Sequence, residues 1–392
     1  MRKWLVGLTA LYLATAVAIG IQHGVLSHEN TFAIFRASWS HLIQGRDLYA
    51  AYPAEYRDLY KYSPTFALLF APFAVLPFAP GLMLWNTLNA GLLCVAVVKV
   101  LPADRAPIAL AIAYLETVGS LQYSQSNALV AALMILAFAA LEHERAVRAG
   151  SLLAIGACVK IFPLTALLCA VPRRRVVRTV LACAAAMAAL AVLPLLVTDG
   201  RTLLTQYHSW RAITAGETAV HAVGLNGGLM QAVRVWAGVA WPNWPIQVAG
   251  TALLVLPVVL GRSLWDDGEF RLGILCSVLL YAVLFNHRAE APSYVIAMTG
   301  VGLWYATNRP TRLRTALVVF AVLVVSVSST ELVPHAIRRG VVERFAFKTA
   351  PILVIWLVMQ AELLGRVRRG VRSVTASESD RAASWAHDST IN

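Results

Sequence analysis

The chain predicts an all-α fold, a polytopic transmembrane helical bundle of about 12 spans. Three observations lead there. Hydrophobic residues make up 59% of the sequence and charged ones 14%, where a soluble domain carries about 25% charge. Apolar runs of roughly 18–22 residues recur along nearly the whole chain, long enough as helices to cross about 30 Å of hydrocarbon. These runs do not alternate apolar and polar residues, which excludes a barrel, and lipid obliges the backbone to satisfy its own hydrogen bonds.

The first run, Trp4 to about Gln22, follows Met-Arg-Lys and shows no small-residue cleavage site, so it predicts a retained first helix. An outer loop follows over 23–63. In it Phe32, Phe35, Trp39 and Leu42 recur at helical spacing among Arg36, Ser38, Ser40 and His41, predicting an amphipathic helix at the membrane interface. The stretch "DLYAAYPAEYRDLYKYSP" (47–64) comes next. Tyr49, Tyr52, Tyr56 and Tyr60 share one helical stripe, interrupted by Pro53, and predict an aromatic belt in the headgroup layer. The further spans are expected over 64–80, 81–101, 107–121, 126–142, 151–171, 179–197, 245–261, 272–286, 292–307, 315–330 and 349–365.

Arginine placement tests this threading. "PRRRVVR" (172–178), "NRPTRLR" (308–314) and "GRVRRGVR" (365–372) all fall on the side of the N-terminus. Cytoplasmic loops collect Lys and Arg, so the rule predicts a cell-membrane protein with both termini cytoplasmic. Two basic stretches, "EHERAVRAG" (142–150) and "HAIRRGVVERFAFK" (335–348), then lie outside, against the rule. Residues 1–374 read as one integral-membrane domain. The polar tail 375–392 reads as a disordered cytoplasmic segment. Cys94, Cys158, Cys169, Cys183 and Cys276 fall in or beside apolar runs, read as small core residues, and suggest neither a disulfide framework nor a metal site. The formal charge of +13 reports topology, not nucleic-acid binding.

Ionisable groups in or beside spans are costly and mark function. Lys160, in "GACVKIFPLTALL" (156–168), is the sharpest case and suits a phosphate or a carboxylate partner. Asn286, His287, Arg288 and Glu290 crowd the turn "FNHRAEAPSY" (285–294), with Pro292 placed for the first turn of the next helix. "SLQYSQSN" (120–127), with Gln122, and "GLNGG" (224–228), with Asn226, offer amides in similarly tight turns. Glu116 is a lone acid in a span and reads as one half of a pair. Carboxylates, a lysine, an arginine and amides at one membrane face suit chemistry on a sugar or a phosphate. A carboxylate takes the proton of an attacking hydroxyl, and cations stabilise charge on a leaving phosphate. No Walker loop, dinucleotide fingerprint, zinc signature or nucleophile elbow is present. The competing reading is a multi-pass transporter or flippase of a lipid-linked saccharide. It would show internal repeats and charges at mid-depth, and no half-to-half repeat is evident.

Several ordered stretches resemble glycosyltransferase family 87, polyprenyl-phosphate-sugar-dependent membrane enzymes of the C-type fold. They are "TFAIFRASWSHLIQGRDLY" (31–49), "YKYSPTFALLFAPFAVLP" (60–77) with Trp85 and Asn89, "QYSQSNALVAALMILAFAAL" (122–141) and "AGSLLAIGACVKIFPLTALL" (149–168). "GLNGGLMQAVR" (224–234) and "NHRAEAPSY" (286–294) extend the likeness more weakly. The resemblance implies inverting transfer of a hexose or pentose, mannose-like, from a polyprenyl-phosphate donor to a lipid or glycan acceptor at the outer face. Membrane lipids are then its surroundings and nucleic acid has no part. No cofactor beyond the lipid-linked co-substrate is implied, and the metal requirement stays open. The family's first-loop acid would occupy the slot of Thr31, preceded here by Asn30, and neither can act as base. Four carboxylates stand as alternatives: Glu29, Asp58, Asp47 and Glu290. Lys160, His287, Arg288, Asn286, Gln122 and Asn226 are the candidates for donor phosphate or substrate binding.

Overall fold

A computed structural model describes residues 2–27, 30–219, 228–239 and 241–388. Among these residues there is no strand. The chain runs through α1 (Arg2–Ile21), α2 (Asn30–Ile43), α3 (Pro64–Leu69), α4 (Ala71–Ala74), α5 (Phe78–Val100), α6 (Ala106–Gln122), α7 (Asn127–Glu142) and α8 (Ala146–Val159). A 3-10 segment (Phe162–Ala170) leads to α9 (Val176–Val192), α10 (Gly200–Ala219), α11 (Leu229–Ala237), α12 (Asn243–Leu260), α13 (Gly268–Leu284) and α14 (Tyr294–Thr307). Then come α15 (Arg312–Ala321), with π and 3-10 turns to Ser329, α16 (His335–Ile337) and α17 (Thr349–Asp388). Six helical stretches among the described residues are long and apolar enough to cross a membrane: Lys3–Leu26, Phe78–Val100, Val176–Leu196, Asn243–Leu260, Arg312–Ser329 and Thr349–Arg369. The protein is an all-helical integral membrane protein. α17 runs through to Asp388, across the residues where the sequence alone leads one to expect an unstructured tail.

Small residues set the helix spacing. A Cβ on Gly150 of α8 would sit 2.6 Å from the Thr179 carbonyl of α9, and one on Gly302 of α14 would sit 2.6 Å from the Ala109 carbonyl of α6. Lipid gives little hydrophobic drive between helices, so such close approach carries the packing.

Hydrogen bonds sort the helix termini into two ends. At one end Arg105 Nη1 donates to the Ala306 and Thr307 carbonyls (3.3 and 3.2 Å). Arg173 and Arg271 both hold Glu142 there, Arg271 at 2.8 Å. Arg314 holds Glu362 at 2.8 Å, and Arg366 holds Glu269 at 3.1 Å. All three arginine clusters therefore share this end. At the other end Trp85 Nε1 donates to the Ser124 carbonyl (2.8 Å), and Gln247 Nε2 to the Phe285 carbonyl (3.2 Å).

Two of the expected spans are corrected by this sorting. Residues 64–80 form no span, because α3 and α4 are single short turns separated at Phe70 and closed by Pro77 before α5 begins. Proline ends each turn by removing a donor and clashing one turn back. Residues 151–171 do not cross either. α8 starts beside Glu144 at the arginine end and stops at Val159. The 3-10 segment then returns to Arg173 and Arg175, which bond Glu142 and the Glu144 carbonyl (3.3 Å for Arg175). Pro163 packs on Gly156, 3.0 Å from where a Cβ would stand, so the two arms lie side by side. This is a re-entrant hairpin. The two corrections cancel in parity, and α1 and α17 still place both chain termini toward the arginine end. They also move "EHERAVRAG" to that end, removing one exception to the charge rule. The exception at 335–348 stays at the opposite end, where Trp236 Nε1 donates to the Phe345 carbonyl (2.6 Å).

α2 forms over the expected residues. Its apolar stripe is covered by the protein itself: Phe32, Phe35 and Leu42 are buried, with Phe35 edge-on to Tyr62, Phe66, Phe70 and Trp85. The tyrosines differ from a headgroup belt. Tyr49, Tyr56 and Tyr60 are buried, and the Tyr49 and Tyr60 hydroxyls donate to the Tyr62 and Ser63 carbonyls (2.8 Å each). A compact loop must satisfy its own backbone carbonyls, and tyrosine brings both an apolar ring and a donor to do so.

Candidate active site

The hairpin tip lies at the end opposite the arginines, and Lys160 is the residue on it. Its position follows from Pro163, whose ring would clash with the Val159 carbonyl one turn back, so α8 must stop there. Lys160 is accordingly extended, φ −148° and ψ 138°. Its Nζ donates to Asn127 Oδ1 (2.7 Å), and the ammonium stands 5.9 Å from the centre of the Tyr62 ring. Tyr62 donates in turn to Gln125 Oε1 (3.2 Å). Beside it the Ser63 hydroxyl donates to the Cys158 carbonyl (2.6 Å) and accepts from Phe66 N–H (3.1 Å), capping α3. Three segments distant in sequence, 60–63, 125–127 and 158–160, thus meet around one cation.

The 285–294 turn closes another side. Asn286 Oδ1 accepts from Arg288 N–H (3.0 Å), and Arg288 Nη2 donates to the Thr214 carbonyl of α10 (2.8 Å). Glu290 exchanges capping bonds with Ser293, its N–H donating to the Ser293 hydroxyl (3.3 Å), which starts the turn into α14. Pro292 stands in that first turn, as its sequence position predicts. The Glu290 carboxylate is solvent-exposed and pulls electrostatically on the Lys160 ammonium.

α10 was not legible as an element, yet it roofs this end. Gln206 accepts from Leu48 N–H (2.9 Å) and donates to the Arg46 carbonyl (2.8 Å), and Trp210 Nε1 donates to the Lys61 carbonyl (3.1 Å). One helix therefore links the tyrosine-rich loop to Arg288.

The remaining candidates separate. Asp47 is used by the loop: its oxygens accept from Tyr49 N–H (3.0 Å) and the Ser209 hydroxyl (3.2 Å). Asp58 faces solvent, 59% exposed, accepts from Leu59 N–H (2.7 Å) and pairs with Lys61 at 3.4 Å. Glu29 and Asn226 lie outside the described residues. Their neighbours are placed: Asn30 Oδ1 accepts from Arg57 N–H (2.9 Å), and a Cβ on Gly228 would be 2.6 Å from the Asn286 carbonyl. Gln122 is exposed at the end of α6. The amides that reach the lysine's surroundings are Gln125 and Asn127, three and five residues on. Tyr62 is likewise new. The signal for all three was the adjacency of each to a proline or helix start, which fixes backbone direction. Glu116 is paired, 3.9 Å from Lys348. Among the described residues no three His, Cys, Asp or Glu side chains gather as a metal site would require.

A family model for glycosyltransferase family 87 matches residues 60–286. The chain belongs to that family. The matched region takes in Tyr62, Gln125, Asn127 and Lys160, and stops at Asn286. Among solved structures, ArnT from Cupriavidus metallidurans, determined bound to undecaprenyl phosphate, is a distant likeness. It has a TM-score of 0.42 and 13% identity, with 96% of this chain and 80% of that one covered. No curated protein matches the chain by sequence. Family membership and the apolar helical bundle together make the protein a membrane glycosyltransferase.

Proposed function

We propose that the enzyme transfers a sugar, mannose-like, from a polyprenyl-phosphate donor to a hydroxyl of a lipid or glycan acceptor, with inversion. Lys160 carries this reading. An ammonium at the tip of a re-entrant hairpin, bonded to Asn127 and standing over Tyr62, suits the phosphate of a lipid-borne sugar. In the reaction the acceptor oxygen bonds to the anomeric carbon as the carbon–oxygen bond to phosphate breaks. Polyprenyl phosphate leaves with the electron pair, and the carboxylate takes the hydroxyl proton. Glu290 is the base we favour, since it is exposed on the 285–294 turn, close in sequence to Asn286 and Arg288. All three acids make local bonds, Glu290 with Ser293, Asp47 with Tyr49 and Ser209, and Asp58 with Leu59 and Lys61, but Asp47 and Asp58 lie in the loop before α3 and not on the 285–294 turn. Arg288, steadied by Thr214, adds positive charge to the leaving side, and Asn127 and Gln125 orient Lys160 and Tyr62. By the charge rule the arginine end is cytoplasmic, so the site opens outward in the cell membrane, where lipid carriers supply activated sugars.

The test is transfer of labelled sugar from a panel of polyprenyl-phosphate donors by purified protein. Lys160→Met and Glu290→Gln are each expected to cut turnover by roughly 100-fold or more. Asp47→Asn and Asp58→Asn keep most activity. Full activity in Glu290→Gln with loss in Glu29→Gln would transfer the base to Glu29. Full activity in Lys160→Met would remove the central cation from the mechanism.

A further inference from the structure

Between α2 and the 53–57 segment runs an open groove of about 810 Å³, apart from the Lys160 constellation. Ala33, Ala37 and Ser40 of α2 form one wall and Pro53 to Arg57 the other. Ala74 and Phe78 line its base. Phe78 opens the membrane-crossing helix α5, and apolar Val75 (68% exposed) and Ile43 (48% exposed) stand bare beside it. The groove therefore sits where a bilayer changes from hydrocarbon to headgroup.

Its polar inventory is unequal. Arg36 is spent on the carbonyls of Ala74 and Leu76 (3.0 Å each). Glu55 is held by His41 (2.8 Å) and Arg46 (3.2 Å). Arg57, on the exposed rim, makes no side-chain bond or ion pair with any described residue. Tyr56 also lines the groove, and its buried hydroxyl has no partner among the described residues. An open groove of mixed lining, with apolar Ala33, Ala37 and Phe78 on one side and one unspent guanidinium on its rim, matches an amphiphile bearing a single negative charge. A phosphodiester carries one such charge, whereas a phosphate monoester carries nearly two.

We propose that this groove binds a glycerophospholipid of the bilayer, its phosphodiester on Arg57 and one acyl chain along Ala33, Ala37 and Phe78. The site uses neither Lys160 nor Glu290, and its test reads lipid binding without sugar transfer. Purified protein is delipidated in detergent and titrated, by native mass spectrometry, with phosphatidylglycerol, diacylglycerol, inorganic phosphate or undecaprenyl phosphate. Phosphatidylglycerol gives one saturable adduct in the wild type. Arg57→Gln weakens it roughly tenfold or more, and Ala37→Trp, which fills the trough, removes it. Diacylglycerol and inorganic phosphate leave the adduct in place. Arg57 lies on an exposed loop, so its substitution leaves thermal unfolding unchanged and reads binding alone. Equal adducts in wild type and Arg57→Gln overturn the assignment, as does diacylglycerol binding as well as phosphatidylglycerol. Undecaprenyl phosphate displacing the adduct through Arg57 overturns the choice of phosphodiester.

Discussion

His41 shows how one side chain governs the segment between α1 and α3. It is 1% exposed, donates to Glu55 Oε2 (2.8 Å), and lies tilted against Tyr52 with ring centres 4.0 Å apart. Burial of the ring holds it below its ordinary value of 6.5, and Glu55 offsets this only in part, with Arg46 adding to the lowering. The folded group is thus the weaker base. Its contribution to stability is complete above the unfolded value and is lost as pH falls through the lower folded one. Protection factors of the 41–56 amides, corrected for the intrinsic pH dependence of exchange, should therefore fall as the pH drops from 7 to about 5. His41→Gln should flatten that dependence. Protection factors indifferent to pH would remove the clasp role. At this scale the sequence singled out Lys160, Arg288 and Glu290 as candidates from their setting alone. It misjudged the tyrosines, because an aromatic stripe in a juxtamembrane loop suits a lipid belt and a small core equally.

Among elements, the re-entrant hairpin depends on Glu142. Arg173 and Arg271 have side chains 10% and 11% exposed, and both close on this one carboxylate. The bond from Arg173 ties the returning arm, and that from Arg271 ties α13, so the tip is held from its root. Removing the acid leaves two poorly hydrated guanidinia facing each other. Glu142→Gln is expected to lower stability by about 3 kcal/mol. It should reduce transfer while leaving the Lys160 region chemically intact. Unchanged thermal unfolding would show the hairpin is held by packing on α7 and α9 instead. The break itself was visible in the sequence as Pro163. What it joined was not, since Glu142 and Arg271 are far apart along the chain.

For the molecule as a whole, the hairpin changes which loops share a side. Arg145 and Arg174, both exposed, flank it. A single span over 151–171 would put them on opposite sides of the membrane, whereas the hairpin puts them together. In a background without the five native cysteines, Arg145→Cys and Arg174→Cys should react with an impermeant thiol reagent from the same side. Asp58→Cys should react from the other. Labelling of Arg145→Cys and Arg174→Cys from opposite sides would restore the crossing and undo the placement of Lys160.

The solvent and the secondary structure were legible in the residues alone. With 59% hydrophobic residues in long unalternating runs, the chain has to satisfy its backbone within helices. The residues also put three arginine clusters on one side and carry the order of motifs that marks the family. Whether an apolar run crosses or turns back was settled only in three dimensions. A kinked span and a re-entrant hairpin have the same hydropathy, and they differ only in their partners. Here those partners are Glu142 at the root and Asn127 at the tip, chosen by contacts that no local pattern encodes.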